Sequence, residues 1–247
     1  MKDRVSLINI GSLKRKNFIR TGMLITLFLS ICVIVVTIYG QNVGNFVISI
    51  EQGSSDLGLS LSEDATFEHP TVRLYAESIE NATNISGFDI PKNILEGDGA
   101  KNLVYNEYWG AYMAYSFYLK NSGEVKMSYS SKVSIEEEHL EVSSAFRLWV
   151  ITETKGVTNS YLYAKEPNTG SFNEMEQKFA DAIKTPITTF EEDEVFYMEN
   201  HGFDVGDVTR YTIVLWLEGD DPECIDDILG GYIRFQMQFE CLYSEEE

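Results

Sequence analysis

This sequence shows none of the residue patterns that usually mark a catalytic site. His69, His139 and His201 are the only histidines, and none stands in a metal-ligand spacing such as H-E-x-x-H. The G-x-S-x-G elbow of serine hydrolases and the glycine-rich loops that bind phosphates are absent from the sequence. Acidic residues are so frequent that pairs of carboxylates are expected by chance, so they do not indicate glycoside hydrolysis. We therefore predict a protein that is not an enzyme.

One acidic loop offers ligands for a hard cation. Glu218, Asp220 and Asp221 lie close together in the sequence, and carboxylate oxygens are the ligands that Ca²⁺ prefers. Their spacing does not match an EF-hand, and a solvated acidic loop that keeps the protein soluble is the alternative. Apart from Ca²⁺ in this loop, the sequence predicts no cofactor.

Two cysteines of the same region form a candidate disulfide. Cys224 and Cys241 lie 17 positions apart, and the chain between them contains the pair Gly230 and Gly231. If the chain reverses there, the two thiols can meet, and closing the loop would stabilise the fold by about 3 kcal/mol. Two reduced thiols that never meet are the alternative.

A cluster of aromatic residues is the candidate ligand-binding surface. Tyr108, Trp109 and Tyr112 begin a segment that is dense in aromatic side chains. Exposed on a strand, they would form a platform for a carbohydrate or another ligand. Core packing explains the same cluster equally well, so the exposure of Trp109 and Tyr112 distinguishes the two interpretations.

The N-terminal region has the pattern of a membrane anchor. Residues 21–39 contain no charged side chain, and a helix of that length is about long enough to cross a bilayer. Basic residues precede the segment and none follows it before Arg73. The positive-inside rule then predicts a cytoplasmic tail (1–20), a transmembrane signal-anchor (21–40) and an extracellular domain (41–247). The long basic lead and the length of the apolar stretch favour a retained anchor over a cleaved signal peptide.

The charge of the predicted outer domain restricts its partners. Of 19 basic and 39 acidic residues in the chain, residues 1–44 hold six basic and one acidic, which leaves 13 basic and 38 acidic residues and a net charge of −25. Such a domain repels nucleic acid and anionic lipid, so we predict no nucleic-acid partner.

Alternating apolar residues predict a β-rich fold. Segment 232–242 alternates sharply, 140–152 places Phe146, Leu148 and Val150 on one side, and the pair 45–50 and 57–62 reads as a hairpin. One helix interrupts the strands, beginning at a capping box of Ser171 and Glu174 and carrying an apolar stripe. About eight to ten short strands with one inserted amphipathic helix predict an all-β fold, an antiparallel β-sandwich of jelly-roll or Greek-key type.

Three parts of the sequence together resemble a known group of proteins. They are the basic N terminus with its apolar segment, the run AYSFYLKNSG at 114–123, and the run WLEGDDPEC at 216–224. The chain resembles exported surface proteins of Gram-positive bacteria, in particular biofilm fibre proteins of the TasA and camelysin type. The resemblance implies an exported jelly-roll domain that in some cases assembles by exchange of an N-terminal strand. An uncleaved anchor would block assembly through a freed strand.

These observations predict a membrane-anchored, extracellular structural or interaction module of the bacterial cell surface. Its expected partners are the membrane, through residues 21–39, and other surface proteins or a second copy of the chain by strand addition. Segment 45–50 is the expected donor strand. Two alternatives remain at this point: a surface domain that binds a carbohydrate or another ligand, and a strand-exchanging fibre subunit if the anchor is cleaved.

Overall fold

The structure, a computed structural model, describes residues 21–30, 46–76, 82–91, 94, 103–107 and 110–242. The chain divides into two compact units, Met1–Val43 and Gly44–Glu247. In the first unit, residues 21–30 are helical. None of the helices in the described ranges is both long enough and apolar enough to cross a membrane. The remainder of the predicted span, 31–39, lies outside the described residues.

The second unit is mostly β-strand, and its described residues form two mixed sheets with few helices. The first sheet has the order β10 (Glu194–Phe203), β6 (Met127–His139), β12 (Tyr232–Leu242), β1 (Phe46–Ile50) and β3 (Arg73–Ala76). The second sheet has the order β2 (Leu59–Ser62), β5 (Gly110–Asn121), β11 (Val208–Leu217), β7 (Phe146–Thr154), β8 (Val157–Lys165) and β9 (Ile187–Phe190). A further strand, β4 (Leu103–Glu107), pairs with β5.

The prediction of purely antiparallel sheets is wrong in two places. Strand β1 runs parallel to β12, and β9 runs parallel to β8. Parallel neighbours need a long crossover, whereas antiparallel ones can be joined by a tight turn. The chain between β8 and β9 supplies such a crossover and contains the helix α2 (Glu174–Ala182). Strands β1 and β12 come from opposite ends of the domain sequence, so local patterns carry no information about their pairing.

The predicted hairpin of segments 45–50 and 57–62 is also wrong. Between them lies a short helix, α1 (Gln52–Asp56), whose first turn is capped by the side chain of Glu51, which accepts a hydrogen bond from the amide of Ser54. This helix carries the chain from one sheet to the other, because β1 belongs to the first sheet and β2 to the second. The small and polar residues of the segment are compatible with a turn and with a capped helical turn alike.

Side chains from both sheets form one shared core. On β12, Phe235, Met237 and Phe239 are buried, which confirms the predicted alternation of that strand. Phe239 meets Tyr211 of β11 at a ring-centroid distance of 5.1 Å, and Tyr211 in turn stacks on Phe117 of β5 at 5.4 Å. The two sheets are therefore held together mainly by burial of aromatic and aliphatic surface between them.

A second apolar cluster lies on the other side of the seven-stranded sheet, beneath α2. Phe179 of the helix meets Trp149 and Trp216 edge-on, with ring centroids 6.0 and 5.8 Å apart. The helix begins two residues later than predicted, because its capping box is formed by Asn173 and Glu176 rather than by Ser171 and Glu174. Within the predicted apolar stripe Phe179 is buried, whereas Met175 is 42% exposed.

Replacing Gly58 with alanine should destabilise the fold by about 3 kcal/mol. Gly58 has a φ of +103°, and an added Cβ would lie 2.3 Å from backbone atoms of Gly123, beside the pairing of β2 with β5. Gly156→Ala is the matched control: its φ is +77°, but nothing lies within 4 Å of the added Cβ. That variant should lose only about 1 kcal/mol, the cost of a left-handed backbone. Equal losses in chemical denaturation of the full chain would contradict the steric argument.

Candidate functional site

An open cavity of about 760 Å³ lies between the two sheets at one end of the domain. Both sheets line it: Phe46 and Phe235 belong to the first, and Met113 and Leu215 to the second. Its described lining is mostly apolar and consists of Phe46, Ala82, Thr83, Asn84, Met113, Val142, Phe146, Leu215, Trp216, Leu217, Cys224, Ile225, Asp226, Ile228, Leu229, Gly230, Gly231, Tyr232, Ile233 and Phe235. The size and the apolar lining are those of a small-molecule binding pocket.

The connection between β11 and β12 forms the outer wall of the cavity. Segment 224–231, which we call the wall loop, contributes most of its residues to the lining. Ile225 is 53% exposed and Leu229 is 70% exposed, and Tyr232 at the start of β12 is 42% exposed. Apolar side chains that line a cavity and also meet solvent are typical of the entrance to a binding site rather than of a closed core.

The polar groups of the cavity are few and mostly uncharged. The side-chain amide of Asn84 donates a hydrogen bond to the sulfur of Cys224 at 3.3 Å. Burial raises the pKa of the Cys224 thiol, so it stays protonated at neutral pH and is a poor nucleophile. None of the described lining residues is Lys, Arg or His. This arrangement suits the binding of an apolar molecule.

A buried arginine ties the chain entering the wall loop to the rest of the domain. Arg147 lies on β7, on the opposite side of the strand from the shared core, and is 2% exposed. Its guanidinium binds Glu176 of α2, with a distance of 3.0 Å from Nε to Oε1, and it also binds the carboxylate of Asp221. Asp221 in turn accepts a hydrogen bond from the amide of Glu223 at 2.7 Å. One cation therefore joins a strand, a helix and the segment that leads into the wall loop.

Glu218 is a second buried carboxylate in the same region. It accepts hydrogen bonds from the indole of Trp216 at 2.9 Å and from the amides of Gly87 and Asp220, each at 3.1 Å. Burial nevertheless raises the pKa of this carboxyl, because desolvation of the charged form outweighs the hydrogen bonds and the nearby Arg147. Glu218 holds residues 86–87 against the end of β11 and so fixes another edge of the cavity.

The predicted calcium ligands have other roles in the structure. Glu218 and Asp221 are occupied by the donors described above, and Asp220 accepts a hydrogen bond from the hydroxyl of Ser86 at 2.6 Å. In the part of the chain that the structure describes, no group of three or more His, Cys, Asp or Glu side chains is arranged to hold a metal ion. In the structure, these three carboxylates act as acceptors for protein donors.

The predicted disulfide between Cys224 and Cys241 is not formed, since both cysteines are free. Cys224 lines the cavity near Tyr232, at the start of β12. Cys241 lies near the other end of that strand, nine residues or about 30 Å further along, where its sulfur is 3.5 Å from that of Met127. The pair Gly230 and Gly231 does precede a strand, but this strand carries Cys241 away from Cys224.

The predicted aromatic platform is not supported at the position that the structure describes. Tyr112 is 6% exposed and belongs to the apolar cluster beneath α2. Tyr108 and Trp109 lie outside the described residues. The part of the prediction that depends on Tyr112 is therefore wrong, because this residue packs inside the domain.

The sequence analysis predicted neither the cavity nor the buried ion pairs of Arg147. Two signals point to them in retrospect: a charged residue in an otherwise apolar strand (Arg147), and an acidic loop interrupted by Ile225, Ile228 and Leu229. The first indicates a buried ion pair, because an arginine in a core position needs partners. The second indicates that one side of the loop packs against an apolar surface.

Comparison with known proteins adds no further assignment for this chain. No protein-family model matches it, and no curated protein matches it at a significant level.

Proposed function

We propose that this protein is a membrane-anchored, extracellular binding module of the cell surface that holds an apolar ligand between the two sheets of a β-sandwich and catalyses no reaction. The observation that carries this proposal is the open cavity between the sheets. Its volume falls in the range of known ligand pockets, and burying hydrocarbon there contributes about 0.8 kcal/mol for each methylene group.

Three features support binding over a purely structural role. The cavity is open, its entrance carries exposed Ile225 and Leu229, and its wall is held by buried polar contacts rather than by loose packing. A purely structural sandwich gains nothing from empty apolar volume, since cavities destabilise a fold. In a binding module, the bound ligand restores the missing contacts and so offsets the stability that the empty cavity costs.

The membrane anchoring and the outer location rest on the sequence. Residues 21–39 are uncharged, and the basic residues of the N terminus all precede them, as the positive-inside rule requires for an external domain. The resemblance to exported fibre proteins agrees with this orientation and with a jelly-roll type of sandwich.

Strand donation receives less support than ligand binding. Strand β1, which includes most of the expected donor segment, pairs with β12 on one side and with β3 on the other, and its Phe46, Ile48 and Ile50 are buried. Donating it to a second copy would require breaking both pairings and removing these side chains from the core. We therefore favour the cavity as the functional site.

Filling the cavity should abolish ligand binding. Leu217 lines the cavity and is half-buried, so Leu217→Trp can extend into the empty volume without displacing the core. Leu242→Trp is the matched control, a half-buried leucine at the far end of β12 that does not line the cavity. The full chain in phosphatidylcholine vesicles would be exposed to a medium-chain alcohol carrying a photoactivatable diazirine, and labelled peptides would be mapped by mass spectrometry.

We expect label on the wall loop and on the end of β11 in the wild type and in Leu242→Trp, and at least a tenfold loss in Leu217→Trp. Label on residues 21–39 serves as the internal standard for probe in the bilayer. If the cavity residues of the wild type acquire no label while 21–39 does, the proposed function is wrong.

A further inference from the structure

The entrance of the cavity combines apolar and acidic side chains. Ile225 and Leu229 of the wall loop are exposed, and between them stand Asp226 and Asp227, which are also exposed. Asp226 belongs to the lining of the cavity. A ligand that places its hydrocarbon part inside therefore leaves its polar end beside two carboxylates.

No cation offsets these carboxylates among the described lining residues. In the described part of the chain, three basic side chains near the cavity already have partners: Arg147 binds Glu176 and Asp221, Arg234 binds Glu137 at 2.7 Å, and Lys165 donates to the hydroxyl of Ser143 at 3.0 Å. The net charge of −25 on the outer domain adds a long-range repulsion of the same sign. An anionic head group would thus be repelled at the entrance and would meet no cationic side chain among the described lining residues, whereas an uncharged or cationic one would not be repelled.

The entrance residues also suit a membrane surface. Ile225, Leu229 and Tyr232 are exposed at the end of the domain where Phe46 lies. Apolar side chains with a tyrosine among them are typical of protein surfaces that contact the interfacial layer of a bilayer. The hydrocarbon chain of a lipid that left a bilayer at this surface would cross little water before it entered the cavity.

We infer that the cavity takes up the hydrocarbon chain of an uncharged or cationic lipid from the membrane that anchors the protein, an inference that rests on the proposed function. Fatty acids, phosphatidic acid and other lipids with anionic heads are disfavoured by the charge of the entrance.

The test compares two bilayer-resident lipids that differ in their head groups alone. The full chain is reconstituted in phosphatidylcholine vesicles with a trace of either diacylglycerol or phosphatidic acid, both carrying the same diazirine-labelled acyl chain. After irradiation, label on the wall loop and on 215–217 is divided by label on 21–39. We expect this ratio to be about tenfold higher for diacylglycerol than for phosphatidic acid.

A charge variant checks that the entrance sets the preference. Asp226→Lys should raise the ratio for phosphatidic acid severalfold and leave that for diacylglycerol unchanged. Glu192→Lys is the control, an exposed acid outside the described lining of the cavity, and it should change neither ratio. Equal ratios for the two lipids in the wild type would overturn the head-group preference.

The same experiment separates this inference from the proposed function. If the diazirine-carrying alcohol labels the cavity but neither lipid does, the cavity binds apolar molecules that do not come from the membrane. In that case the inference is wrong and the proposed function stands. If no probe labels the cavity, both fail.

Discussion

Replacing Arg147 with methionine should lower the free energy of unfolding by about 3–5 kcal/mol. The side chains of Arg147, Glu176 and Asp221 are each 3–4% exposed. Methionine fills a similar volume, but it leaves two carboxylates buried without their cation. The loss of stability on removing one member of a buried ion network is much larger than the net stability that the intact network contributes. The reason is that the remaining charges stay buried without a partner and keep their desolvation penalty.

Urea denaturation of the full chain in detergent, followed by tryptophan fluorescence, measures the loss. Lys178→Met is the matched control, because Lys178 forms an exposed pair with Glu174 one turn away on α2. Exposed pairs of this kind contribute about 0.3–0.5 kcal/mol, so the control should change little. Similar losses in the two variants would show that the Arg147 network is not a buried determinant of stability.

A compensating variant tests the physical reason for the loss. Glu176→Gln and Asp221→Asn, added to Arg147→Met, remove the uncompensated charges and should recover a large part of the stability. The side-chain oxygen of the introduced asparagine can still accept the hydrogen bond from the amide of Glu223 that Asp221 accepts at 2.7 Å. Failure of the triple variant to recover would mean that lost hydrogen-bond geometry, and not buried charge, dominates.

The network also explains how a cavity can persist at one end of the domain. Asp221 directly precedes the segment that leads into the wall loop, and Glu218 fixes the end of β11 through three donors. Polar contacts of this type specify one arrangement of the chain, whereas apolar packing alone would let the loop collapse into the empty volume. The acidic loop, interpreted from sequence as a metal site or a solubilising surface, is thus mainly a positioning device.

Local alternation predicted the strands well where one side of a strand meets the shared core. In β7, Phe146, Leu148 and Val150 belong to that core as predicted. The opposite side of β7 is buried too, because Trp149 and Ile151 lie beneath α2. A strand buried on both sides has no polar side to reveal its environment, so the sequence showed the strand but not the helix above it.

The arrangement of the strands and the site could not be predicted from local patterns. The pairing of β1 with β12 joins Phe46 to Phe235 across most of the domain sequence. Arg147 meets partners 29 and 74 positions away. The predicted disulfide failed for the same reason: Cys224 and Cys241 are near in sequence, yet an extended strand separates them. Contacts at such separations depend on the whole topology, which a single sequence does not encode in any short window.

Replacing Phe239 with alanine should destabilise the protein by about 3–5 kcal/mol, and Phe235→Ala by about half as much. Both are buried phenylalanines on β12, four residues apart. The ring of Phe239 is surrounded by those of Phe117, Tyr129 and Tyr211, with centroids 5.1–6.2 Å away. The ring of Phe235 stacks on Phe146 at 4.4 Å but also borders the cavity. A side chain that already borders empty volume has fewer contacts to lose.

The same pair of variants connects stability with binding. Phe239→Ala creates a new cavity in the middle of the shared core, away from the entrance, so the variant should keep the ligand preference of the wild type as long as it is folded. Phe235→Ala enlarges the existing cavity and should shift the preference towards a longer or bulkier hydrocarbon chain, at about 0.8 kcal/mol for each additional methylene group buried. Chemical denaturation and the labelling ratios measure the two effects separately. If both variants lose equal stability and neither alters the ligand preference, then the end of the domain near Phe235 is packed like its middle, and empty volume there has no role in binding.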